Sequence, residues 1–480
     1  MPALLPLVRY ADRHETLAAV LDRRAVFDPA VEAAVRDILD DVRRRGDAAV
    51  LDLTERFDGV RPDPLVVPTA DLDRALAELD PDLRATLEQA AANVRAFHER
   101  EMPASWSHDD GDGVRYGQRV SPVERAGLYV PAGTAPLPSS VIMNAVPAQV
   151  AGVDEVWLAS PPGPDGLPHP LVLATARLLG LEHVVAVGGA QAVGALAFGT
   201  ESVPRVDVVV GPGNAYVATA KKLVVGQVGI DSVAGPSEVV VLADADADPT
   251  YAAADLLAQA EHDARASAVL VTPSRALAVA VQAEVDRLTA TLSRADTLRQ
   301  SVPAFGAAVV TETMDQAVAC VDELAPEHLV ILSDAADALW ARIRHAGAVF
   351  LGPDSPEPVG DYYAGPNHVL PTGGTARFAS ALGVGVFLRR QSVVRYSAAR
   401  LRQSGEAIAR FAEAEGLDAH ALAVRVRGSG FGVQGSQERT IEPPHTDGES
   451  ARAVPQPSAA AASPARLAGG RDEANPEPRT

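Results

Sequence analysis

The sequence has little cysteine, little positive charge and no long uninterrupted hydrophobic run, and each shortage excludes a class of protein. The single cysteine, Cys320, can form no disulfide within the chain and supports no thiolate-bound metal cluster. The 42 lysines and arginines face 63 aspartates and glutamates, and the net charge of −21 disfavours a nucleic-acid partner. The longest apolar stretch, residues 184–198, is interrupted by glycines and Gln191, so no membrane span is expected. With no recognisable signal peptide at the N-terminus, we expect a cytoplasmic protein that binds neither membrane nor nucleic acid.

The residues that are present are typical of a globular α/β protein. Hydrophobic residues make up 47% and charged residues 22% of the 480, which is enough chain for two or three domains. Apolar side chains recur at helical spacing over residues 31–45 and 83–101. Short β-rich runs then alternate with helical runs, first over 126–225 and again over 238–351. This alternation predicts two packed α/β units with parallel sheets.

Glycine-rich turns after predicted strands are candidate phosphate cradles. Gly188 and Gly189 follow one strand, and a Gly-Pro-Gly turn beginning at Gly211 follows another, with Asn214 as a natural N-cap of the next helix. Both turns place backbone N–H groups at the carboxyl edge of a sheet, although a purely structural turn is equally consistent with the pattern. The match GFGVQG at 430–435 lies in a polar, Gly-rich tail with no helix behind it, so we reject it as a cofactor site.

Four pairs of polar residues carry the candidate chemistry. They are Gln259 with His262 on one helix face, Glu327 with His328 at the start of a strand, Asp361 with His368 in a Pro/Gly-rich loop over 354–374, and Glu415 with His420 across a glycine. Each pair alone is also consistent with ordinary surface or turn residues. Together they supply imidazole, carboxylate and carboxamide groups that suit a divalent metal bound by nitrogen and oxygen, such as zinc, manganese or cobalt.

Longer motifs follow one another over residues 125–427. They read GLYVPAG, PSSVIMNAVPAQVAGV, GGAQAVGALAFGT, GPGNAYV, AGPSEV, QAEHD, PEHL, GDYYAGPNHVLPTGGTARF and EGLDAHALAVRVR. In this order they resemble the L-histidinol dehydrogenase family, whose members are homodimers that depend on NAD and on one zinc ion per subunit. The resemblance implies oxidation of L-histidinol to L-histidine through L-histidinal, by two hydride transfers to NAD, as the last step of histidine biosynthesis.

The resemblance also implies a role for each candidate residue. The expected zinc ligands are Gln259, His262, Asp361 and His420, and the expected acid–base pair is Glu327 and His328. The residues expected to hold the substrate are Ser237, Gln259, His262, His328, Asp361, His368, Glu415 and His420. The expected NAD contacts are Tyr129, Gln191 and Asn214. Glu415 and His420 are expected to come from the partner subunit, so that two subunits share each active site.

The same resemblance divides the chain into two incomplete Rossmann-like, parallel-sheet domains with small helical segments at both ends. We expect a helical arm over 1–25, a first α/β domain with the metal and catalytic residues over 26–125 and 237–382, a second with the NAD contacts over 126–236, a helical segment that reaches the partner over 383–427, and a disordered tail over 428–480. Two stretches depart from the family pattern, PAGTAPLPSS with Ala132 and Leu137, and ASALGVGVFLRR after GGTARF. We expect both stretches to bear on cofactor or loop packing, and the first on NAD binding.

The residues leave other functions open. One alternative is a related zinc and NAD dehydrogenase for another small hydroxy compound. A second is a zinc hydrolase with Glu327 as its base, and a third is a non-catalytic acidic scaffold whose tail recruits partners. A thiol offers a competing route for oxidising an aldehyde, but Cys320 falls on the apolar rhythm of the segment MDQAVACVDEL. The pattern therefore predicts a buried and inert cysteine.

Overall fold

The computed structural model describes residues 3–17, 28–131 and 136–428. Residue contacts divide the chain into two compact units, Met1–Arg395 and Tyr396–Thr480. Ala132, the GFGVQG segment and the predicted tail from residue 429 onward lie outside the described residues. Within the described ranges, no helix is long and apolar enough to cross a membrane.

The elements are numbered here in chain order. The strands are β1 (Leu7–Arg9), β2 (Trp106–Asp109), β3 (Val114–Pro122), β4 (Arg125–Tyr129), β5 (Glu155–Ser160), β6 (His183–Ala186), β7 (Val208–Val210), β8 (Gly229–Ile230), β9 (Glu238–Ala243), β10 (Ser267–Thr272), β11 (Gly306–Val310), β12 (His328–Leu332), β13 (Ala348–Leu351) and β14 (Leu388–Tyr396). The helices are α1 (Arg13–Thr16), α2 (Pro29–Arg45), α3 (Asp47–Asp58), α4 (Thr69–Ala77), α5 (Pro81–His98), α6 (Pro138–Ala151), α7 (Pro170–Leu178), α8 (Gly189–Phe198), α9 (Ala215–Val224), α10 (Pro249–Ala260), α11 (Arg275–Thr289), α12 (Ala295–Phe305), α13 (Met314–Leu324), α14 (Ala336–Trp340), α15 (Glu357–Tyr362), α16 (Ala398–Ala414) and α17 (Asp418–Gly428).

Helix starts follow from the local sequence. Asp28, Asp80 and Asp248 each accept a hydrogen bond from a backbone N–H in the first turn of α2, α5 and α10, and each is followed by a proline. A side-chain acceptor satisfies an N–H that has no partner within the helix, and proline fits the first helical position because it needs no donor there. These caps explain why the predicted starts near residues 31 and 83 lie close to the observed ones.

A five-stranded parallel sheet has the order β6-β5-β4-β7-β8. Apolar residues of α4, α5, α6 and α7 cover one face, and those of α2, α3, α8 and α9 cover the other. The chain order reverses between β4 and β7. Open α/β sheets bind ligands at the carboxyl ends of the strands at such a reversal.

A six-stranded parallel sheet has the order β1-β11-β10-β9-β12-β13. Helices α10, α11 and α12 cover one face, and α13 and α14 cover the other. Every residue of β9, β10 and β12 is buried, as expected for strands that are covered on both faces. The predicted α/β class with parallel sheets is confirmed.

The predicted domain limits need correction at the N-terminal end. Residues 7–9 are not helical but form β1, which pairs with β11 in the six-stranded sheet. Helices α2 to α5 were assigned by the sequence to the domain of residues 237–382, yet their apolar faces belong to the two cores of the five-stranded sheet. Amphipathic periodicity shows that a helix has a buried face but not which sheet covers it.

A small antiparallel sheet was not predicted. Its order is β14-β3-β2, so residues 388–396 form a strand where the sequence suggests a helical segment from 383 onward. Almost every side chain of β2 and β14 is exposed. A strand that is exposed on both faces has no alternation of apolar and polar residues, which is the signal that sequence reasoning uses.

In the second unit, α16 and α17 form a helical hairpin. The turn between them contains Gly416 at φ 74°, a left-handed conformation that favours glycine. Gly405, Ala409 and Ala421 are buried between the helices. Residues 398–414 and 418–427 of the predicted helical segment are therefore helical.

Candidate active site

The first residue of β9 orients Glu327 and His328. The backbone N–H of Glu238 donates to Glu327 Oε2 at 2.9 Å, and its carbonyl oxygen lies 3.2 Å from His328 Nδ1. A carbonyl can only accept, so Nδ1 carries a proton, and Nε2 is the nitrogen that gains or loses a proton when the imidazole titrates. Both side chains are buried at the amino ends of β9 and β12. One strand end thus sets the position of a carboxyl group and the tautomer of an imidazole.

Helix α15 brings two carboxyl groups to the same imidazole. His328 Nε2 lies 3.6 Å from Glu357 Oε1 and 3.5 Å from Asp361 Oδ1. The sequence predicts a loop over 354–374, which is wrong for Glu357–Tyr362. Glu357 was missed by the sequence analysis. Its spacing of four residues from Asp361, which places both on one helix face, is the signal that would have found it.

Burial and proximity divide the charges among these groups. Burial raises the pKa of Glu327 to about 8 and, with the nearby charge of Asp361, that of Glu357 to about 8. Burial also opposes the charge on Asp361, but the hydrogen bond with His328 and the His368 imidazole hold its pKa at about 2. Burial opposes the cationic form of His328, while the carboxylates of Glu327 and Asp361 raise its pKa to about 9. Asp361 is therefore the carboxylate of this group that is charged at neutral pH.

The end of α10 carries Gln259 and His262. Gln259 is 1% exposed, and its Oε1 has no hydrogen-bond partner in the described part of the chain. His262 lies just beyond the helix and is exposed, with its Nδ1 3.3 Å from the Gln259 carbonyl oxygen. Burial lowers the pKa of His368, and the charges of His328 and His262 lower it further.

A cavity of about 340 Å³ opens beside these side chains. His328, Asp361 and His368 line it, and apolar residues that include Phe97 and Phe350 form part of its wall. Its size suits a small molecule. His368 is tied to the same segment as Asp361, because its Nδ1 lies 3.1 Å from the Asp361 carbonyl oxygen.

The remaining residues of the predicted substrate set lie elsewhere in the chain. Ser237 is half-buried and directly precedes β9, the strand that orients Glu327 and His328. Glu415 follows α16 and His420 lies in the first turn of α17, both exposed and both within the second compact unit.

The residues predicted to contact NAD lie at the carboxyl edge of the five-stranded sheet. Tyr129 ends β4, and its hydroxyl oxygen accepts a hydrogen bond from Gly189 N at 3.2 Å. Burial raises the pKa of Tyr129 to about 12, so the hydroxyl keeps its proton. Gln191 lies in the first turn of α8 and is 1% exposed. Asn214 caps α9 by accepting from two backbone N–H groups, as the sequence predicts.

A buried ion pair holds the turn before Asn214. Lys221 pairs with Asp231, and both side chains are almost fully buried. Lys221 Nζ donates to the Gly211 carbonyl oxygen at 2.8 Å, while Gly211 N donates to Asp231 Oδ2 at 2.8 Å. Gly211 has φ +116°, and a side chain there would collide with the Tyr129 carbonyl. The turn therefore approaches the end of β4 closely, at the point where the strand order reverses.

Comparison with known proteins assigns the chain to a family. A family profile described as Histidinol dehydrogenase matches residues 21–428. The histidinol dehydrogenase of Geobacillus kaustophilus is 54% identical over 394 residues, which cover 82% of this chain and 93% of that protein. This chain belongs to the histidinol dehydrogenase family. The histidinol dehydrogenase of Bacillus subtilis is 50% identical over 393 residues, or 82% of this chain and 92% of that one.

A solved histidinol dehydrogenase has the same fold. The crystal structure of the enzyme from Elizabethkingia anophelis matches with a TM-score of 0.84 at 32% identity, covering 89% of this chain and 98% of that chain. The resemblance drawn from the motifs is thereby confirmed.

The donor atoms at this site fit the zinc ion that the family implies. Ligand atoms of His328, Glu357 and Asp361 all lie within 4.8 Å of one another. Gln259 Oε1, His328 Nε2 and Glu357 Oε1 are all buried without a hydrogen-bond partner among the described residues, and such atoms can bind a metal ion. Nitrogen and oxygen donors suit zinc. The three-residue cluster shares only Asp361 with the predicted ligands, so the structure offers two overlapping donor sets.

The only cysteine of the chain is not available for chemistry. Cys320 lies on α13 and is 1% exposed within the core beneath the six-stranded sheet. Burial raises the pKa of its thiol to about 12. A thiol that keeps its proton is a poor nucleophile, so the prediction of a buried and inert cysteine is confirmed.

Proposed function

We propose that this chain oxidises L-histidinol to L-histidine through L-histidinal, by two hydride transfers to NAD, as the last step of histidine biosynthesis. Family membership supports the substrate and the reaction. The single observation that carries the proposal is the His328 imidazole, whose Nε2 points to the carboxyl groups of Glu357 and Asp361 beside a small cavity. Acidic groups suit a cationic amino alcohol that carries its own imidazole. A chain with one cysteine also fits the reducing cytoplasm, where we place the enzyme.

The cofactor sites are assigned to the predicted residues. Zinc would be held by Gln259, His262, Asp361 and the partner subunit's His420, and when bound it supplies a Lewis acid that holds and orients the substrate. The support is the unpartnered Gln259 Oε1 and the low pKa of Asp361. This assignment leaves His328 free to act as a base rather than a ligand.

The NAD contacts are assigned to Tyr129, Gln191 and Asn214, with NAD supplying the hydride acceptor when bound. The support is their place at the carboxyl edge of the five-stranded sheet, where the strand order reverses beside Gly211. The Tyr129 hydroxyl accepts a hydrogen bond from the first N–H of α8, and the Asn214 side chain accepts from two N–H groups in the first turn of α9. Both helix N-termini favour a negatively charged ligand.

His328 and Glu327 perform the proton transfers of this mechanism. In the neutral form of His328 the Nδ1 proton is directed to the Glu238 carbonyl, and Nε2 accepts the alcohol proton as a hydride leaves the carbinol carbon, which forms the aldehyde. Glu327, in its ionised form, then takes a proton from water as the water oxygen bonds to the aldehyde carbon, and the His328 imidazolium returns its proton to the aldehyde oxygen, which forms the gem-diol. His328, neutral again, accepts a gem-diol proton as the second hydride leaves, and the acid that forms releases its remaining acidic proton to solvent to give the carboxylate. Ser237, His368 and Glu415 are assigned to hold the substrate during both steps.

The assay that tests the proposal counts NADH formed per histidinol consumed by the purified full-length protein. Two equivalents are expected, because the same carbon is oxidised twice. One equivalent would point to a simple alcohol dehydrogenase for a related hydroxy compound. None would leave a hydrolase or a scaffold and would overturn the proposal.

We further assign the protein to a homodimer in which Glu415 and His420 enter the partner's active site. The second compact unit supports this, because its helical hairpin exposes Phe411, Leu422 and Val426 at 71%, 60% and 48%. Exposed apolar side chains on a small hairpin are typical of a surface that is covered by another chain.

Mixing two inactive variants tests the shared site. Mixed subunits of His262→Asn and His420→Asn form heterodimers in which one site has both mutations and the other has neither. If the subunits exchange at random, activity should recover to about a quarter of the wild-type value. Each variant mixed with itself is the control and should stay inactive. No recovery, after exchange of subunits is verified by mass, would show that each site is built from one chain.

A further inference from the structure

The segment that carries His368 is attached to the body of the five-stranded sheet. We propose that Asn367 and His98 are positioning residues that hold His368 against the substrate cavity, so that the cofactor-binding body sets the geometry of the substrate site. This inference deepens the proposed function and rests on it. His98 is the last residue of α5, and its side chain is 0% exposed.

The first attachment uses a carbonyl that a proline leaves free. Helix α6 contains Pro147, which has no N–H to donate to the carbonyl oxygen of Met143 four residues earlier. Asn367 Nδ2 donates to that oxygen at 2.6 Å. Both residues are buried, where an unpaired carbonyl is costly. The proline therefore creates a specific acceptor inside α6, and the side chain of Asn367 satisfies it.

The second attachment uses His98 at the end of α5. Its Nε2 lies 3.4 Å from Asn367 Nδ2, and its Nδ1 lies 2.7 Å from Glu101 Oε2. An amide nitrogen can only donate, so His98 Nε2 accepts and Nδ1 carries the proton that is given to Glu101. Glu101 thus fixes the tautomer of His98 in the way that the Glu238 carbonyl fixes that of His328. The Asn367 amide group is then held by two acceptors from two helices.

These contacts bear directly on His368. Asn367 Oδ1 accepts from Val369 N at 2.9 Å, so the Asn367 side chain spans the residue between them. Val369 itself is buried in the core that α5 and α6 share with the five-stranded sheet. Asn93 of α5 adds a further tie, because its Nδ2 donates to the Tyr363 carbonyl at 2.8 Å. His368 is therefore fixed from both sides by a body other than the sheet that carries Glu327 and His328.

Two substitutions of His98 separate positioning from general stability. Glutamine places an acceptor near the Nε2 position and keeps the contact with Asn367, whereas asparagine places a donor near Nδ1 and keeps only the contact with Glu101. We expect H98N to raise the Kd of histidinol, measured by calorimetry on the zinc-loaded protein, by about tenfold, and H98Q to change it less than about threefold. The KM for NAD should change less than about twofold in both, since no NAD contact is moved.

Amide hydrogen exchange over residues 367–370 gives a readout that does not depend on the substrate. Exchange should be faster in H98N and in Asn367→Asp than in the wild type and H98Q. Equal effects of H98N and H98Q on both measurements would reduce His98 to a structural residue and overturn the inference, as would the reverse order. A wild-type protein that does not oxidise histidinol would overturn the proposed function instead, while the exchange experiment would still decide the role of His98.

Discussion

Replacing His262 by asparagine is expected to remove the bound zinc and to lower turnover by at least about 10³-fold. The proposed metal site takes two ligands from the end of α10, where Gln259 Oε1 is buried without a partner among the described residues. A shortened side chain at 262 cannot reach the same position, and the substrate then loses the ion that orients it. Metal analysis of the purified variant should show less than one-tenth of an equivalent per subunit, against one in the wild type.

The same measurement distinguishes the two donor sets. Glu357→Gln should keep its zinc, because Glu357 belongs to the cluster with His328 and Asp361 but not to the proposed ligands. His169→Asn is a matched control, since His169 only caps α7 and asparagine is an equally good cap. Zinc retained in His262→Asn and lost in Glu357→Gln would show that the metal sits in the three-residue cluster and that His328 is a ligand.

Replacing Glu327 by glutamine is expected to slow the second oxidation by about 10²-fold while the first changes less than about threefold. In the native protein the N–H of Glu238 donates to Glu327 Oε2 at 2.9 Å. The glutamine side chain still has an oxygen that can accept this hydrogen bond, so we expect the local structure to be retained. It cannot take a proton from water, and the aldehyde must be hydrated before a second hydride can leave. Single-turnover measurements with histidinol and with histidinal as separate substrates give the two rates.

Cys320→Ser is the control for the route through a thiol. Because Cys320 is buried and its pKa is raised to about 12, the variant should oxidise both substrates at the wild-type rates. Equal slowing of both steps in Glu327→Gln would assign Glu327 to substrate binding. If the Cys320→Ser enzyme stops at the aldehyde, the second oxidation proceeds through addition of the thiol to the aldehyde and not through hydration.

The antiparallel sheet and helix α15 show where sequence reasoning reached its limit. Strands β2 and β14 are exposed on both faces, so their sequences lack the alternation that marks a strand. The six residues of α15 lie in a segment rich in proline and glycine, and so short a helix is stabilised by its contacts more than by its own propensity. Glu357 was missed for this reason, although it lies as close to His328 as Asp361 does.

The sequence alone could not predict that His98 is buried or that Gln259 Oε1 has no partner among the described residues. Both residues lie on helices that the sequence pattern predicts. The partner of His98 Nε2, Asn367, is 269 residues away in the chain, and Gln259 Oε1 has no partner among the described residues. No local pattern carries information on a contact between two such distant positions.

Local sequence determined where the helices of this chain begin, through the caps at Asp28, Asp80 and Asn214. It also determined the fully apolar strands of the parallel sheets and the motifs that indicate the family. These depend on hydrogen bonds and periodicities that span a few residues. Only the tertiary structure decided that α2 to α5 cover the five-stranded sheet, and that the Glu238 backbone, Glu357 and Asp361 converge on His328. Such choices follow from packing and from electrostatic interactions in a buried space, and these arise only when distant parts of the chain are brought together.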